Sequence, residues 1–476
     1  MSSLKKFNRS PLIRPLLNVG CLFDIPTGVY LKGKHGENIL NAGLPHITGI
    51  VGRGNTFKST IAHFMNLRSL DRHRAAEDII YDTEVSLSLA RLRQLSTNMT
   101  FLPFEDFEDE DSRIVLTDKT QELGSAWFEK YKEVMRDRAK DKTTIKTTPF
   151  INKDGEYVKG IYPFLGELDS FSQMSIEAVE TLLDKGQIGD SKLNTEALKE
   201  GAAKSQLMVQ LPGLTGMGGG YLVMTAHVGD EHQLDPYAPP SKKLAFLKGK
   251  SKIKRVPENF TFLTNNLWYC ANATVLINQA NKTPEYPRGP EDDLKGDTDL
   301  MIVTIQNLRA KTGPTGIPFE LVISQSEGVH VGLSEFNYIK NHGRYGLGGH
   351  DRSYYLELVP DISLQRTTVR SKIDESPKLR RALEIASEMC QIKNLWHHFP
   401  KELLCSPKEL YDDLVKKGYD WELLLDTRGY WMFEEDITKE DKPFLSTLDL
   451  MEMRVGKYHP YWYPTSKDKM KKLEDK

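Results

Sequence analysis

Gly49-Ile50-Val51-Gly52-Arg53-Gly54-Asn55-Thr56-Phe57-Lys58-Ser59-Thr60 is the stretch that decides the fold. An apolar run, residues 47–51, enters it, and a helical pattern, Ile61-Ala62-His63-Phe64-Met65-Asn66-Leu67, leaves it. Strand, glycine-containing loop and helix in that order make a phosphate-binding loop. Backbone N–H groups of the loop and of the helix N-terminus hold phosphate oxygens. The expected nucleotide contacts are Gly52, Arg53, Gly54, Asn55, Thr56, Phe57, Lys58, Ser59 and Thr60. Lys58 would reach the β- and γ-phosphates, and the Ser59 hydroxyl would ligate Mg²⁺. The usual pattern, G-x-x-x-x-G-K-[ST], has glycine where this chain has Phe57. An ordinary Gly/Asn turn before a helix is the alternative for this stretch alone.

A length of 476 residues suggests two or three domains and room for a large core. Lys and Arg number 64 against 66 Asp and Glu, so the overall charge names no partner, and any nucleic-acid site must be a local basic patch. Cys21, Cys270, Cys390 and Cys405 lie far apart and form no disulfide framework, as suits a reducing cytoplasm. The N-terminus has no apolar stretch of signal-peptide length. No uninterrupted apolar run approaches the roughly 18 residues of a membrane span, so no membrane partner is expected.

From residue 36 to 345 apolar runs alternate with helical patterns, which predicts an α/β core with a largely parallel sheet. Strands are expected at 47–51, 78–81, 163–167, 221–225, 273–278, 300–305 and 320–324. Residues 1–35 read as an N-terminal arm. Residues 105–154, charged and strand-poor, read as an insertion or lid with a helix over 125–142. Gly343-Arg344-Tyr345-Gly346-Leu347-Gly348-Gly349 reads as a hinge into a smaller, mostly helical C-terminal domain, 346–465, with a charged tail, 466–476. In that domain Ser376-Pro377 opens a helix, and Ser406-Pro407-Lys408-Glu409 has the form of a capping box. Cys390, His397, His398 and Cys405 invite a zinc site. Their spacing argues against it, since six residues separate each Cys from the nearer His and adjacent histidines on a helix diverge by about 100°.

Behind the loop stands a series of polar residues at strand ends. Asp82-Thr83-Glu84 follows the second strand, where a carboxylate can orient and deprotonate an attacking water. The alternative is an acid favoured by a helix N-terminus. The run Tyr162 to Asp169 ends in an acid placed to hold Mg²⁺ through water, with Glu167 as an interior rival. His227 follows the fourth strand, beside the γ-phosphate, where it can sense that group or be an ordinary hydrogen-bonded histidine. The segment 229–260 then carries Lys242, Lys243, Lys248, Lys250, Lys252, Lys254 and Arg255, and 242–255 contains no acid. Lysines neutralise phosphates, and Phe246, Phe260 and Phe262 offer stacking surfaces for bases. A solvated lysine loop is the plainer reading. Arg309 and Lys311 precede the turn Gly313-Pro314-Thr315-Gly316, either as cations that reach a neighbour's γ-phosphate or as a basic surface hairpin.

Taken in order, residues 38–335 resemble the RecA-type recombinases, most closely the UvsX-like branch of bacteriophages. Phe before the P-loop lysine is similar to that branch. Asp82-Thr83-Glu84 looks like the family's Asp-x-Glu, whose Glu is the catalytic base. Gln187-Ile188-Gly189-Asp190-Ser191 resembles the opening of the first DNA-binding loop. His227 falls at the γ-phosphate sensor, Glu258 through Asn278, with Trp268 to Ala273 in it, looks like the helix and strand after the second DNA loop, and Ile317-Pro318-Phe319 resembles the Pro-Phe after the trans-acting cations. The adenine-stacking Tyr of the family falls at Arg91, whose guanidinium can stack or can be a solvent-facing helix cation.

The resemblance implies an ATP- and Mg²⁺-dependent, DNA-stimulated ATPase. It would form filaments on single-stranded DNA and pair it with homologous duplex DNA. Loading or single-strand-binding proteins would be its partners, and the cytoplasm of an infected bacterial host its location. Glu84, Lys58, His227, Arg309 and Lys311 would be catalytic, and Ser59 and Asp169 would hold the metal. A hexameric DnaB-like helicase on the same core is the rival, favoured by the Gly-Pro-Thr-Gly turn. A non-catalytic mediator paralogue is the third reading, raised by Phe57.

Overall fold

The computed structural model describes residues 11–177, 193–231, 244–247, 251–350 and 352–464. Its centre is a ten-stranded sheet. In chain order the strands of its main path are β1 (Ile47–Gly52), β2 (Glu77–Asp82), β3 (Ile114–Asp118), β4 (Phe164–Asp169), β5 (Gly220–Asp230), β6 (Asn266–Val275), β7 (Leu300–Ala310), β8 (Pro318–Ser324) and β9 (Gly328–Val329). Across the sheet they run β9-β8-β7-β6-β1-β5-β4-β2-β3. Every pairing from β3 across to β6 is parallel. The pairings β6 to β9 are antiparallel. Ser251–Ile253 adds a short antiparallel strand to the end of β5.

Parallel neighbours need long crossovers. Helices α1 (Lys58–Arg72), α2 (Leu89–Ser96), α3 (Gly124–Lys140) and α4 (Leu193–Gly218) supply them. β1 and β4 are buried along their whole length, which is why they read as nearly continuous apolar and glycine runs. The chain leaves β1 toward β5, β4 and β2 on one side and returns as β6 on the other. The P-loop therefore opens at the carboxyl end of the strand where the order reverses, the usual place for a ligand in an open α/β sheet.

Several expectations need correction. Residues 105–154 are not an insertion outside the sheet: β3 is its edge strand, hidden in the sequence because only Ile114 of its five residues is buried. Ile145–Ile151 pairs with Tyr157–Ile161, which in turn pairs with Leu12–Ile13, forming a second sheet. The described part of the segment expected as an N-terminal arm, from residue 11 on, is built into the core, where Leu17, Val19, Leu22, Phe23 and Ile25 have no exposed surface. The Phe23 ring meets Trp268 and Phe319 edge-on at centroid distances of 5.2 and 5.4 Å. β6 begins at Asn266, seven residues ahead of the expected strand at 273, because Leu267, Trp268, Tyr269 and Cys270 carry its buried half.

The segment expected to be a hinge enters a three-stranded meander, Leu347–His350, Ser353–Leu356 and Val359–Leu364. Beyond it the region is helical, and its starts are capped as expected. Ser376 accepts from Leu379 N ahead of α5 (Pro377–Leu395), and Ser406 and Glu409 form a capping box. This region has no core of its own. One apolar cluster joins Leu17, Ile61 and Trp268 to Leu383, Met389, Trp431 and Leu450. Polar ties cross the same boundary. Trp431 Nε1 donates to Leu16 O at 3.1 Å, Asn38 N and Nδ2 both donate to Asp449 Oδ1 at 2.8 Å, and Tyr162 OH donates to Asp436 Oδ2 at 2.7 Å. Cys390 is buried on α5 with Asn394 Nδ2 3.5 Å from its sulfur, while His397 and His398 are exposed. Among the described residues no helix is long and apolar enough to cross a membrane.

A shared core predicts shared unfolding. Trp431→Ala should cost about 3–5 kcal/mol, and both regions should melt in one urea transition, read by circular dichroism. A separate early transition for the C-terminal region would contradict the continuity of the core.

Candidate nucleotide-binding site

The P-loop leaves β1 at Gly52 and enters α1 at Lys58. Gly52 is required by crowding, since an added Cβ would lie 2.3 Å from Thr56 Oγ1 and 3.1 Å from Cys270 Cβ. Thr56 Oγ1 donates to Arg53 O at 2.8 Å and closes the turn. Asn55 and Phe57 both take left-handed backbone, at φ 59° and 60°. This shows why glycine is usual at position 57: a bulky residue there costs about 1–2 kcal/mol. Packing of the Phe57 ring against the core offsets that cost, and the loop keeps its turn. The site suits a phosphate and its Mg²⁺. Lys58 is a buried cation at the helix start, Ser59 follows it, and a Cβ on Gly54 would meet nothing within 4 Å, leaving that side open.

Below the loop, α1 and β4 present matched polar groups. Ser59 and His63 share a face of α1, being four residues apart, and Asp169 and Glu167 share a face of β4, being two apart. His63 Nδ1 and Glu167 Oε1 are 2.7 Å apart inside the core. Burial opposes charge on His63, but Glu167 overrides it and raises the imidazole pKa. Burial likewise raises the Glu167 carboxyl pKa. One tier lower, Asn66 Nδ2 donates to Asp78 Oδ1 at 3.1 Å, and burial, then Glu167, push the Asp78 pKa well up. Access separates the two acids of β4: Glu167 is 0% exposed and lies against His63, whereas Asp169 keeps 8% exposure at the strand end, where it could reach a metal. Thr225 Oγ1 donates to Asp169 Oδ1 and fixes the carboxylate. His63, Glu167 and Asp169 are the grouping of possible metal ligands among the described residues.

Asp82 and Glu84 divide their labour. The buried Asp82 carboxylate accepts from Glu84 N at 2.8 Å, Ser86 N at 2.6 Å and Leu87 N at 2.7 Å, and so shapes the loop. Glu84, with its side chain 35% exposed, is left to face the site. Its Oε1 lies 3.1 Å from His227 Nε2 and accepts from Gln173 Nε2 at 3.0 Å. His227 lies within β5 rather than after it, because β5 runs on to Asp230 to pair with Ser251–Ile253. At the P-loop tip Arg53 forms an ion pair with Asp230 at the end of β5.

The basic segment is only partly described. Lys242, Lys243, Lys248 and Lys250 lie outside the described residues, as does Gln187-Ile188-Gly189-Asp190-Ser191. Lys252 and Arg255 are exposed, whereas Lys254 Nζ donates to Asp230 O. Phe260 is not a stacking surface. It is fully buried, 5.7 Å from the Phe171 ring. Phe246 and Phe262 are exposed, and Phe246 sits over Gly316, where an added Cβ would lie 2.3 Å from its ring.

Arg309 and Lys311 fall at the opposite end of the strands from the loop. β7 is antiparallel to β6, so Ala310 aligns with Asn266 and through it with Thr48, whereas the P-loop end, Gly52, aligns with Cys270. Four residues of strand, roughly 13 Å, separate those levels, so neither cation lies on this chain's own phosphate loop. The turn beyond is fixed locally: Gly316 N donates to Asn307 O at 2.7 Å, and a Cβ on Gly313 would strike Pro26 O at 1.8 Å. Arg91 sends its guanidinium to Ser326 O at 2.9 Å and Gln325 O at 2.7 Å. Its plane is thereby set against the β8–β9 turn.

Sequence reasoning missed His63, the loop-shaping role of Asp82, Thr225 and Gln173. His63 carried a signal, its spacing of four from Ser59. Gln173, in Phe171-Ser172-Gln173, carried none. No family model and no curated protein matches the chain. Among solved structures it is similar to one titled "Crystal structure of the RadB recombinase", at 13% identity over 60% of this chain and 92% of that one, with a TM-score of 0.31. A likeness of that size carries no weight for function.

The two acids of β4 predict opposite phenotypes. Asp169→Asn should remove Mg²⁺-dependent nucleotide binding with little change in melting temperature. Glu167→Leu, which strips His63 of its partner, should cost about 3 kcal/mol of stability, read by denaturant titration. Equal loss of stability in both would return the register to question.

Proposed function

We propose that this chain is a DNA-dependent ATPase of the RecA type that assembles on single-stranded DNA as a filament and promotes homologous pairing and strand exchange. The observation that carries the reading is the 3.1 Å contact of Glu84 Oε1 with His227 Nε2. It joins a candidate base to β5, and β5 continues into the pairing with the basic segment. One strand thus links the phosphate end of the site to the cations that would meet DNA.

In this reading Lys58 and the loop bind the phosphates, and Glu84 accepts the proton of the attacking water. Mg²⁺, held by Ser59 and Asp169, would supply charge neutralisation at the phosphates. Arg309 and Lys311, far from this chain's own loop, would serve a neighbour's nucleotide, which fits self-association. The helicase reading uses the same core, and the crowding of Gly313 by Pro26 and of Gly316 by Phe246 is compatible with both assemblies. A non-catalytic mediator would keep the same fold, so the left-handed backbone of Phe57 is compatible with it, and turnover is what separates the two.

The test is ATP turnover with and without single-stranded DNA. Lys58→Ala should abolish it, and Glu84→Gln should abolish hydrolysis while retaining ATP and DNA binding. Lys252→Ala and Arg255→Ala should each flatten the salt dependence of single-strand binding by about 0.7 in the log–log slope. With a slowly hydrolysed ATP analogue, electron microscopy should show helical filaments on the DNA; closed rings would establish the helicase instead.

A further inference from the structure

The turn after β4, Phe171–Gln173, touches both halves of the mechanism. Gln173 Nε2 is 3.0 Å from Glu84 Oε1 and 3.4 Å from His227 Nε2. Its neighbour Ser172 is 2% exposed and bridges two strands: Oγ accepts from His227 N at 2.9 Å and donates to Lys254 O at 2.9 Å. Lys254 N donates in turn to His227 O at 2.8 Å. From beneath, Lys204 of α4 reaches the same turn. It is 1% exposed, pairs with Glu200 Oε1 at 2.5 Å, and places Nζ 3.4 Å from Ser172 O and 3.5 Å from Arg255 O. A lysine is almost never so buried without a structural demand.

We propose that Gln173 is a positioning residue for the Glu84 carboxylate, and that its turn, held by Ser172 and Lys204, couples that carboxylate to the basic segment 252–255. The inference rests on Glu84 being the base. When a γ-phosphate competes for His227, the Gln173 amide is the partner that Glu84 retains, so the amide sets where the carboxylate points. A displacement of Lys254 or Arg255 by a bound polyanion moves the carbonyls that Ser172 and Lys204 hold. The turn moves with them, and Gln173 with the turn.

Steady-state kinetics on the full chain tests this. Gln173→Glu keeps the size of the side chain but replaces the donor with a second carboxylate beside Glu84. Turnover at saturating ATP should fall roughly tenfold or more, with the ATP KM, the melting temperature and single-strand affinity unchanged. Gln173→Asn, which keeps the amide on a shorter arm, should give an intermediate rate. Lys204→Met keeps the aliphatic stem and should bring the ratio of DNA-saturated to DNA-free turnover toward one at unchanged DNA affinity. Wild-type turnover in Gln173→Glu, or a joint loss of KM, melting temperature and DNA affinity, would overturn the positioning role. Undiminished stimulation in Lys204→Met would overturn the coupling. Wild-type hydrolysis in Glu84→Gln is a different failure: it removes the base assignment on which the inference rests.

Discussion

A histidine and a glutamate meet at 2.7 Å in the middle of an apolar core. His63 belongs to α1, and Glu167 belongs to β4, two strands from β1 in the sheet. The pair therefore ties the helix that carries Lys58 and Ser59 to the strand that carries Asp169. Helical and strand periodicity then place Ser59 and Asp169 one tier above it, toward the open end of the sheet. Breaking one side of such a buried pair is costly, because the survivor has no water to turn to. The tier below, Asn66 with Asp78, extends the same clamp to β2, whose end carries Asp82 and Glu84. The P-loop helix, the Asp169 strand and the Glu84 strand are thus set by one polar column rather than by loop contacts.

Above that column the geometry depends on β5. A strand ending at Thr225 would give Asp169 its hydroxyl partner and nothing more. By running five residues further, to Asp230, β5 also carries His227 to Glu84 and offers an edge to Ser251–Ile253. The extension explains how a basic segment with no regular pattern in sequence is anchored at one end, through main-chain pairing rather than through its side chains.

The main elements were legible because they are periodic. β1, β4 and β8 are apolar runs, α1 follows its loop without a break, and the capped helices of the C-terminal region announce their starts at Ser376 and Ser406. The glycine-containing loop before α1 and the strand-end positions of Glu84 and His227 were readable by type and order, and the structure brings those two side chains together. What was illegible is physical in each case. β3 is an edge strand with one buried residue, so it lacks a run. The buried N-terminal segment, from Leu17 to Ile25, is too short and irregular for any period. The shared core of the C-terminal region rests on pairs more than 400 residues apart, Asn38 with Asp449 and Leu16 with Trp431. Phe260 looked like a stacking surface because aromatic residues beside lysines read the same whether they face solvent or the core.

The antiparallel return of β7 carries the last consequence. Because β6 runs parallel to β1 and β7 runs back, the end of β7 emerges at the end of the sheet that the P-loop does not occupy. Lengthening β7 would carry Arg309 and Lys311 no nearer their own loop. Burial, then Arg309, lowers the Lys311 pKa, so the two cations at that end are mutually unfavourable. A polyanion supplied from outside the chain relieves that repulsion. In the proposed reading the outside group is a neighbour's nucleotide, and sheet polarity alone gives each chain a phosphate loop at one end and cations at the other. In that reading head-to-tail association would follow from the separation, and a head-to-tail contact either closes into a ring or continues as a helix.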